Sequence, residues 1–405
     1  MGGWLNERLD LDRLQAKYLR KVFPVHSTFF LGEIALFAFV TLVVTGIFLA
    51  VNYEPSNRIV HLAGQAVPAA YAAVVHIDSL PFGRVIRSTH HWSAHVFIAA
   101  AFLHLLRHLL TGSYKKPREI NWWLGLVLLV LAVVTAFTGY SLPNDAFAVT
   151  ATKIGYGIAS SIPWIGHWIA NLLFGGDYPT SYSLRRLYPA HILFMPLLIM
   201  GATALHLLVV VKQHHTQPPY ARRVAPGRIL GVPMVPGQAL MMTTLLFTYL
   251  AVVVIVAGFV DVHPVTAFGP PTAATPAVRP DWYFLWVYGI LQMIPSTWRF
   301  TFLGGSFGPE LWGGVVVPGL VASALAAVPL VDRSTTRQRY LELPGRHPLR
   351  TGLTVAIVAF FLVASAAGFH DTLGISTGVF RLLLFAVPAV AAAVTWVAAP
   401  RLGRG

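Results

Sequence analysis

The chain contains eight stretches of about 20 apolar residues, and they restrict its fold more than any other feature. They lie at 30-53, 88-110, 123-142, 189-211, 240-260, 311-331, 352-368 and 379-399. A helix of this length crosses roughly 30 Å of hydrocarbon. The 405 residues are 56% hydrophobic and only 11% charged, which an ordinary soluble domain is not. The sequence therefore predicts an all-α polytopic membrane protein with eight transmembrane helices.

The basic residues indicate how these helices are oriented. A formal net charge of +14 could suggest a nucleic-acid partner. Most of the 29 Lys and Arg residues, however, lie near the two termini and in the loops after the second, fourth and sixth spans, which share one side of the membrane. By the positive-inside rule that side is cytoplasmic. We therefore expect both termini in the cytoplasm, contact with a lipid membrane and no nucleic acid.

The N-terminal segment and the absence of cysteine restrict the cofactors. Residues 1-29 begin with a charged, amphipathic stretch rather than a signal peptide, and we expect that stretch to lie on the cytoplasmic surface. A chain without cysteine cannot hold a disulfide, a thiolate-bound iron-sulfur cluster or a thioether-linked heme. Any redox cofactor must therefore be held by other ligands.

Two predicted spans each carry a pair of histidines. In "RSTHHWSAHVFIAAAFLHLLRHL", His90 and His104 are 14 residues apart, and in the fourth span His191 and His206 are 15 apart. Helical geometry places His90 and His104 within roughly 40° of one face and about 21 Å apart along the axis. A neutral imidazole is a good ligand for heme iron, and ligation offsets the cost of burying the ring. Two hemes, one per matched pair, are therefore predicted.

The alternative for a single transmembrane histidine is an interhelical hydrogen bond or a place in a pore. That role is commoner for one residue, but it does not account for two matched pairs. His91 and His95 have no such partners, and we interpret them as structural.

Arginines and glycines recur beside these histidines. Arg87 and Arg107 flank the pair of the second span, and Arg186 precedes the pair of the fourth. Each is a candidate partner for a heme propionate, or alternatively an interfacial anchor. In the first and third spans, two pairs of glycines are each 14 residues apart: Gly32 with Gly46, and Gly125 with Gly139. Glycine allows a flat macrocycle to approach the backbone, although close helix packing gives the same signal.

Several stretches resemble cytochrome b of the quinol-oxidising cytochrome bc complexes. "RSTHHWSAHVFIAAAFLHLLRHLLTGSYKKPRE", "AFTGYSLP", "SSIPWIG" and "LRRLYPAHILF" resemble its heme-binding half, and "RPDWYFLWVYGILQMIPS" resembles its second half. The 15-residue spacing in the fourth span is similar to the plastid-type and Gram-positive branch. The resemblance covers nearly the whole chain. It implies a diheme four-helix bundle in 30-215, a cytoplasmic linker in 216-239 and a four-helix domain in 240-405 with an outer loop at 261-310.

The resemblance also implies the cofactors. His90 with His191 would hold a low-potential heme near the outer face, and His104 with His206 a high-potential heme near the cytoplasmic face. Both would be noncovalent heme b. Phe30 stands where the plastid branch carries a heme-linking cysteine, so no covalent heme is expected.

The "PDWY" stretch resembles the outer quinol site of the family. Asp281 stands where the family has a glutamate that accepts a proton from quinol, and Tyr283 matches the neighbouring tyrosine. From the residues alone, an Asp after Arg-Pro is usually a helix cap or a solvated group. The surrounding aromatic residues suit a quinone headgroup. Nearby, "SLPNDAF" departs from the family at Asn144 and Ala146, so the outer pocket is expected to differ there.

At the cytoplasmic end, "VVVKQHHTQPP" is similar to actinobacterial relatives. Lys212, His215 and Gln217 are candidates for a site of quinone reduction, or alternatively are interfacial anchors.

The function implied is that of the diheme subunit of a bacterial quinol:cytochrome c reductase, which is incomplete without its partners. Its substrate would be menaquinol or ubiquinol. One electron would go to a Rieske iron-sulfur protein and a c-type cytochrome, and the other through the hemes to a quinone on the cytoplasmic side, coupled to proton translocation. A homodimer in the bacterial cytoplasmic membrane is expected.

Three other functions are compatible with a polytopic chain: a diheme membrane anchor of a dehydrogenase, a proton-coupled transporter and a purely structural subunit. The "PDWY" stretch and the four additional spans argue against the anchor. The spacing of the four histidines argues against the other two.

Overall fold

The computed structural model describes Trp4 and residues 7–8, 21–178, 182–261, 263–272 and 278–402. Within those residues, eight helices are long and apolar enough to cross a membrane. They are Ser27–Val51, Gly83–Thr111, Glu119–Tyr140, Ser183–Gln213, Met234–Phe259, Pro309–Val331, Pro348–Ala367 and Thr377–Arg401. The predicted all-α fold with eight spans is confirmed, and the ends differ from the predicted windows by a few residues. The predicted surface segment at the N-terminus lies mostly outside the described residues.

The composition of the spans explains why they are helical. In hydrocarbon the backbone must satisfy its own hydrogen bonds, and a helix does so within one segment. Hydroxyl groups inside the spans follow the same rule: Thr41 donates to the carbonyl of Phe37 at 2.9 Å, and Thr45 donates to that of Thr41 at 2.6 Å. Large apolar side chains such as Val44 and Ile47 are exposed on the outside of the bundle, where lipid would cover them.

Shorter elements connect the spans. Outside them lie the helices Ala69–Ser79, Ala146–Ser160, Gly166–Phe174, Ala221–Val224, Val265–Phe268 and Trp282–Met293. Three antiparallel pairs of short strands join Val22–Pro24 to Gly231–Pro233, Ile59–Leu62 to Gln65–Pro68, and Phe300–Phe302 to Gly305–Phe307. Three of the spans contain one wide helical turn, at Ala190–Phe194, Met234–Gln238 and Trp312–Val316. The first of these turns carries His191.

The packing of the spans brings the two halves of the chain together. The first span packs against the second, and the third against the fourth. The second span also contacts the fifth and the seventh, and the third contacts the sixth. The helix Trp282–Met293 packs against the seventh span. The second span therefore contacts helices of both halves of the chain, and the start of the helix Trp282–Met293 lies beside it.

A network of charged side chains joins the halves at the predicted cytoplasmic end. Lys115, whose side chain is 7% exposed, lies 2.9 Å from Asp332 Oδ1 and 3.1 Å from Glu342 Oε1. Arg350 pairs with the same two carboxylates, and Tyr114 donates a 2.6 Å hydrogen bond to Asp332 Oδ2. The largely buried charges of Lys115, Arg350 and Glu342 are tolerated because each has a partner. The network fixes the loop after the second span against the second half.

Gly289 allows the helix Trp282–Met293 to lie directly on the seventh span. A Cβ at this position would collide with the carbonyl oxygen of Ala364 and lie 2.9 Å from the backbone nitrogen of Gly368. We expect Gly289→Ala to lower the free energy of unfolding by about 1–3 kcal/mol, because backbone atoms must move to accommodate the methyl group. The measurement is thermal unfolding of the purified chain in detergent.

Gly319→Ala is the matched control, because a Cβ there meets no atom within 4 Å. Alanine favours a helix over glycine by about 1 kcal/mol, so this variant should be neutral or stabilised. Equal unfolding temperatures for the two variants would contradict the packing described here.

Candidate functional site

A cavity of about 490 Å³ opens between the first four spans at their predicted outer end. Its wall includes the two first histidines of the pairs and two of the four spaced glycines: His90, His191, Gly46 and Gly139. It continues toward the "PDWY" helix, where its lining includes Arg87, His91, Tyr140 and Tyr283. One space therefore connects the predicted outer heme position with the predicted quinol site.

His90 and His191 face each other in this cavity. Their ring centroids are 6.3 Å apart, with an interplanar angle of 67°. Two imidazoles that bind one metal ion from opposite sides, with bonds of about 2.0 Å, have ring centres roughly 6 Å apart. The observed separation therefore fits a single iron between the two rings.

Hydrogen bonds on the far side of each ring identify the nitrogen that is left for a metal. Thr45 Oγ1 lies 2.9 Å from His90 Nδ1, but its hydroxyl proton is already donated to the carbonyl of Thr41. The hydroxyl oxygen must therefore accept from Nδ1–H. His191 Nδ1 lies 3.0 Å from the carbonyl oxygen of Thr135, which is likewise only an acceptor. With Nδ1 protonated in both rings, the lone pair is on Nε2, as in metal-binding histidines generally.

The second pair, His104 and His206, is arranged differently. Neither Nδ1 atom has a hydrogen-bond partner among the described residues. His104 Nε2 lies 3.2 Å from Nε2 of His108, one turn further along the same helix. Two buried imidazoles with unsatisfied nitrogens are costly unless a ligand completes them. The feature of this pair that suits a heme is its two unsatisfied Nδ1 atoms.

Each of the four glycines lies against one of the four histidines. A Cβ on Gly46 would be 3.3 Å from His90 Cε1, and one on Gly32 would be 3.1 Å from His104 Cε1. In the third span, a Cβ on Gly125 would lie 3.7 Å from His206 Cε1, whereas one on Gly139 would collide with the ring of His191. The spacing predicted a close approach at these glycines, and the group that approaches in this structure is the imidazole ring.

The three predicted arginines lie in different environments. Arg87 forms a two-pronged ion pair with Asp78, at 2.6 and 2.8 Å. Arg186 is exposed and donates to the carbonyl of Leu172 at 3.4 Å. Arg107 differs, because its buried Nε and Nη2 have no hydrogen-bond partner among the described residues. The free donors of Arg107 fit a propionate near His104.

Asp281 and Tyr283 lie at the start of the helix Trp282–Met293. Tyr283 donates a 2.9 Å hydrogen bond to Asp281 Oδ2, and His91 Nε2 lies 3.4 Å from the same oxygen. Burial favours the neutral form of the carboxyl, but the hydrogen bond and charge of His91, with contributions from His95 and Tyr283, hold the pKa of Asp281 below its ordinary value. At neutral pH this group is a carboxylate that can accept a proton.

Further polar residues near this carboxylate were not assigned a functional role from the sequence. His91 and His95, which we interpreted as structural, stack in parallel with centroids 5.1 Å apart. Trp282 Nε1 donates to His95 Nδ1 at 3.1 Å. The spacing of four residues between the two histidines was the signal that could have identified them, because it places both on one helix face.

The "SLPNDAF" departure has a structural role. Asn144 adopts a left-handed backbone with φ 51°, and its amide donates to Asn57 at 2.8 Å. Asp145 is fully buried; it caps the helix Ala146–Ser160 and lies 2.9 Å from His263 Nε2. These contacts fasten the outer loop of the second half to the first half.

The residues predicted for a cytoplasmic quinone site do not form one pocket. His215 contacts the ring of Phe23, with centroids 5.6 Å apart, and Lys212 is exposed at the end of the fourth span. The Gln217 amide is occupied at both ends, since it donates to the carbonyl of Arg228 at 3.1 Å and accepts from the backbone of Leu230 at 2.9 Å.

Comparison with known protein families gives two matches that follow each other along the chain. The family described as "Cytochrome b(N-terminal)/b6/petB" matches residues 95–270, and "Cytochrome b(C-terminal)/b6/petD" matches residues 270–387. The first match includes three of the four paired histidines and the second includes the "PDWY" stretch.

Curated relatives carry one description, "Cytochrome bc1 complex cytochrome b subunit". The protein of Streptomyces coelicolor is 32% identical, over 96% of this chain and 75% of its own. That of Mycobacterium bovis is 33% identical, over 89% of this chain and 68% of its own. A solved structure titled "Hyperthermophilic respiratory Complex III" is similar in fold, with a TM-score of 0.74, 24% identity and coverage of 99% of this chain and 98% of that chain.

A histidine ring lies much closer to Gly139 than to Gly125. Gly139→Ala should displace His191 from its place opposite His90, so heme binding between these two histidines should be lost. Gly125→Ala adds an ordinary van der Waals contact, at 3.7 Å, and should leave heme binding unchanged. Heme per chain and its redox titration, followed in the visible spectrum, give the measurement. Full heme content in Gly139→Ala would show that this glycine does not define the position of His191.

Proposed function

The chain belongs to the cytochrome b family, and from this premise we propose that it is the diheme, quinol-oxidising subunit of a bc-type quinol:cytochrome c reductase. The observation that carries the proposal is the outer cavity. It is lined by two imidazoles at a separation that one metal ion between them would give, and by Tyr283, which donates a hydrogen bond to Asp281. Neither a dehydrogenase anchor nor a transporter explains the match of the second half of the chain to the C-terminal cytochrome b family.

Bound at the two histidine pairs, heme b would supply one-electron chemistry at two depths of the membrane, at lower potential near the outer face and higher potential near the cytoplasmic face. The chain's own part is to hold and orient these groups. His90 and His191 offer Nε2 lone pairs on rings fixed by Thr45 and Thr135. His104 and His206 offer imidazoles whose Nδ1 atoms have no partner among the described residues, and Arg107 offers its free Nε and Nη2 donors for a propionate.

At the outer end, we assign proton acceptance to Asp281. A quinol headgroup in the cavity would lie among aromatic side chains and beside Tyr283, which is 7% exposed and bonded to the carboxylate. One quinol hydroxyl proton passes to the Asp281 carboxylate, whose side chain is 19% exposed.

At the cytoplasmic end, Lys212 and His215 remain our proposed participants in quinone reduction, because both are exposed beside the end of the fourth span. We propose that Gln217 positions the loop after the fourth span, because its side-chain amide bonds to the backbone of Arg228 and Leu230. The proposed domains are 30-215 for the hemes and 240-405 for the quinol-site loop and its four helices, joined by 216-239.

The remaining parts of the reaction belong to other chains. We propose a Rieske iron-sulfur protein and a c-type cytochrome as electron acceptors, and a homodimer of the complex. The location proposed is the bacterial cytoplasmic membrane, with both termini in the cytoplasm. Menaquinol and ubiquinol both fit an aromatic cavity of this kind.

Replacing one histidine of each pair tests the heme assignment. We expect the purified chain in detergent to contain two noncovalent b hemes that titrate at separate potentials. His191→Leu should remove the lower-potential signal and His206→Leu the higher-potential one, because each variant loses one of the two histidines that would hold that heme. A folded chain without stoichiometric heme would contradict the proposal.

Asp281→Asn tests proton acceptance. The amide cannot take a proton from quinol, so oxidation by the assembled complex should fall by at least about 100-fold while both heme spectra stay unchanged. Asp281→Glu retains an acid and should retain most activity. Asp177→Asn is the control, since the Asp177 side chain is 79% exposed in another loop of the same end. If Asp281→Asn oxidises quinol at the normal rate, another group accepts the proton.

A further inference from the structure

We propose that the wide turn Ala190–Phe194 in the fourth span is a positioning element, which takes up one residue of the helix and thereby directs His191 toward His90. The inference rests on the proposed function, because it concerns a histidine that we assign to a heme. It starts from a difference in spacing. His191 and His206 are 15 residues apart in the fourth span, whereas His90 and His104 are 14 apart in the second.

This difference would misdirect one histidine if the fourth span were a regular α-helix. At 100° per residue, 14 residues end about 40° short of a whole number of turns, whereas 15 residues end about 60° beyond one. The two spacings therefore differ by about 100° in direction and about 1.5 Å in length. A regular fourth span could match the second span at one of its two histidines only.

Backbone hydrogen bonds locate the additional residue. The N–H of Ala190 donates to the carbonyl of Arg186, four residues earlier, as in an α-helix. The N–H of Met195 donates to the carbonyl of Ala190, five residues earlier, which is the bonding of a π-helix. Regular α-helix continues from there over Met195–Gln213. Since a turn bonded in this way contains about one residue more than an α turn, the 15 residues cover the distance of 14.

The third span gives an independent measure of the same distance. It is an uninterrupted α-helix, Glu119–Tyr140, and its two spaced glycines are 14 residues apart. A Cβ on Gly125 would lie 3.7 Å from the ring of His206, and a Cβ on Gly139 would collide with the ring of His191. Fifteen residues of the fourth span therefore lie along 14 residues of the third, as one wide turn requires.

Two prolines explain why the wide turn forms at this place. Pro189 directly precedes the turn, and Pro196 follows it after one residue. Inside a regular α-helix, the ring of a proline collides with the carbonyl four residues earlier, and proline has no N–H to bond to that carbonyl. For Pro196 this carbonyl belongs to Ile192, within the turn. A wider turn relieves the collision, so "YPAHILFMP" favours it here rather than elsewhere in the span.

The experiment deletes residues from the fourth span of the full chain, which is purified within its complex in detergent. Deletion of Leu193 shortens the spacing of His191 and His206 to 14 residues, and deletion of Leu197 as well shortens it to 13. The two leucines are a matched pair, since they are 49% and 50% exposed on the outside of the bundle. Leu193→Ala is the control, because it removes most of the side chain and keeps the spacing of 15. Gel filtration establishes that each complex is folded.

We expect the chain without Leu193 to retain heme between His90 and His191, because the wide turn can lose its additional residue and become an α turn. Heme per chain, the redox titration and the low-spin EPR signal, which depends on the angle between the two imidazole planes, should match those of Leu193→Ala. The double deletion leaves no further residue to lose, so His191 should turn away by about 100° and this binding should disappear. Binding at His206 should remain in every variant, because the deletions lie on the other side of it.

Loss of heme between His90 and His191 in a folded complex that lacks Leu193 alone, with full heme in Leu193→Ala, would overturn the inference. Retention of that heme in the double deletion would also overturn it, because the spacing would then not set the direction of His191. Absence of heme from the wild type would instead contradict the proposed function.

A structure of the variant without Leu193, determined by electron cryo-microscopy, tests the turn without reference to heme. The segment that replaces the wide turn should be regular α-helix, with His191 still opposite His90. A wide turn that persists in this variant would overturn the inference.

Discussion

Hydrocarbon offers no hydrogen bonds, so each polar group within the eight spans must find its partner inside the protein. Threonine hydroxyls bond to carbonyls one turn earlier. The histidines cannot do this with both nitrogens. His90 and His191 satisfy Nδ1 with Thr45 and Thr135, which leaves Nε2 directed to a ligand. His104 and His206 leave even Nδ1 unsatisfied. Under the proposed function, heme iron would take up the Nε2 lone pairs of these rings.

The second span contributes residues to both of the proposed sites at the outer end and to the packing of the two halves. It carries one histidine of each pair, and it contacts spans from both halves of the chain. On another part of its surface, His91 and His95 reach the carboxylate of Asp281. A single helix thus connects the proposed heme positions with the proposed quinol site.

The sequence was informative where a physical rule acts along one helix. Hydrophobic length identified the eight spans, and helical period placed His90 and His104 on one face. It could not assign partners across helices. Arg87 was predicted beside a propionate, yet it pairs with Asp78 in this structure, and nothing in the spacing of the two residues indicates that contact. Likewise, Gln217 was a quinone candidate by position, but its amide is occupied by the backbone of its own loop.

The sequence by itself therefore determined the number of spans and the all-α class, and it nominated the histidines proposed to ligate heme, because these depend on composition and on the fixed geometry of a helix. Only the tertiary structure decided which groups meet. It placed His90 opposite His191 across a cavity, set a glycine against each paired histidine and brought Asp281 to His91 and His95 from 190 residues away along the chain. Those contacts depend on how helices pack side by side, and packing is settled by the fit of many side chains at once rather than by any local pattern.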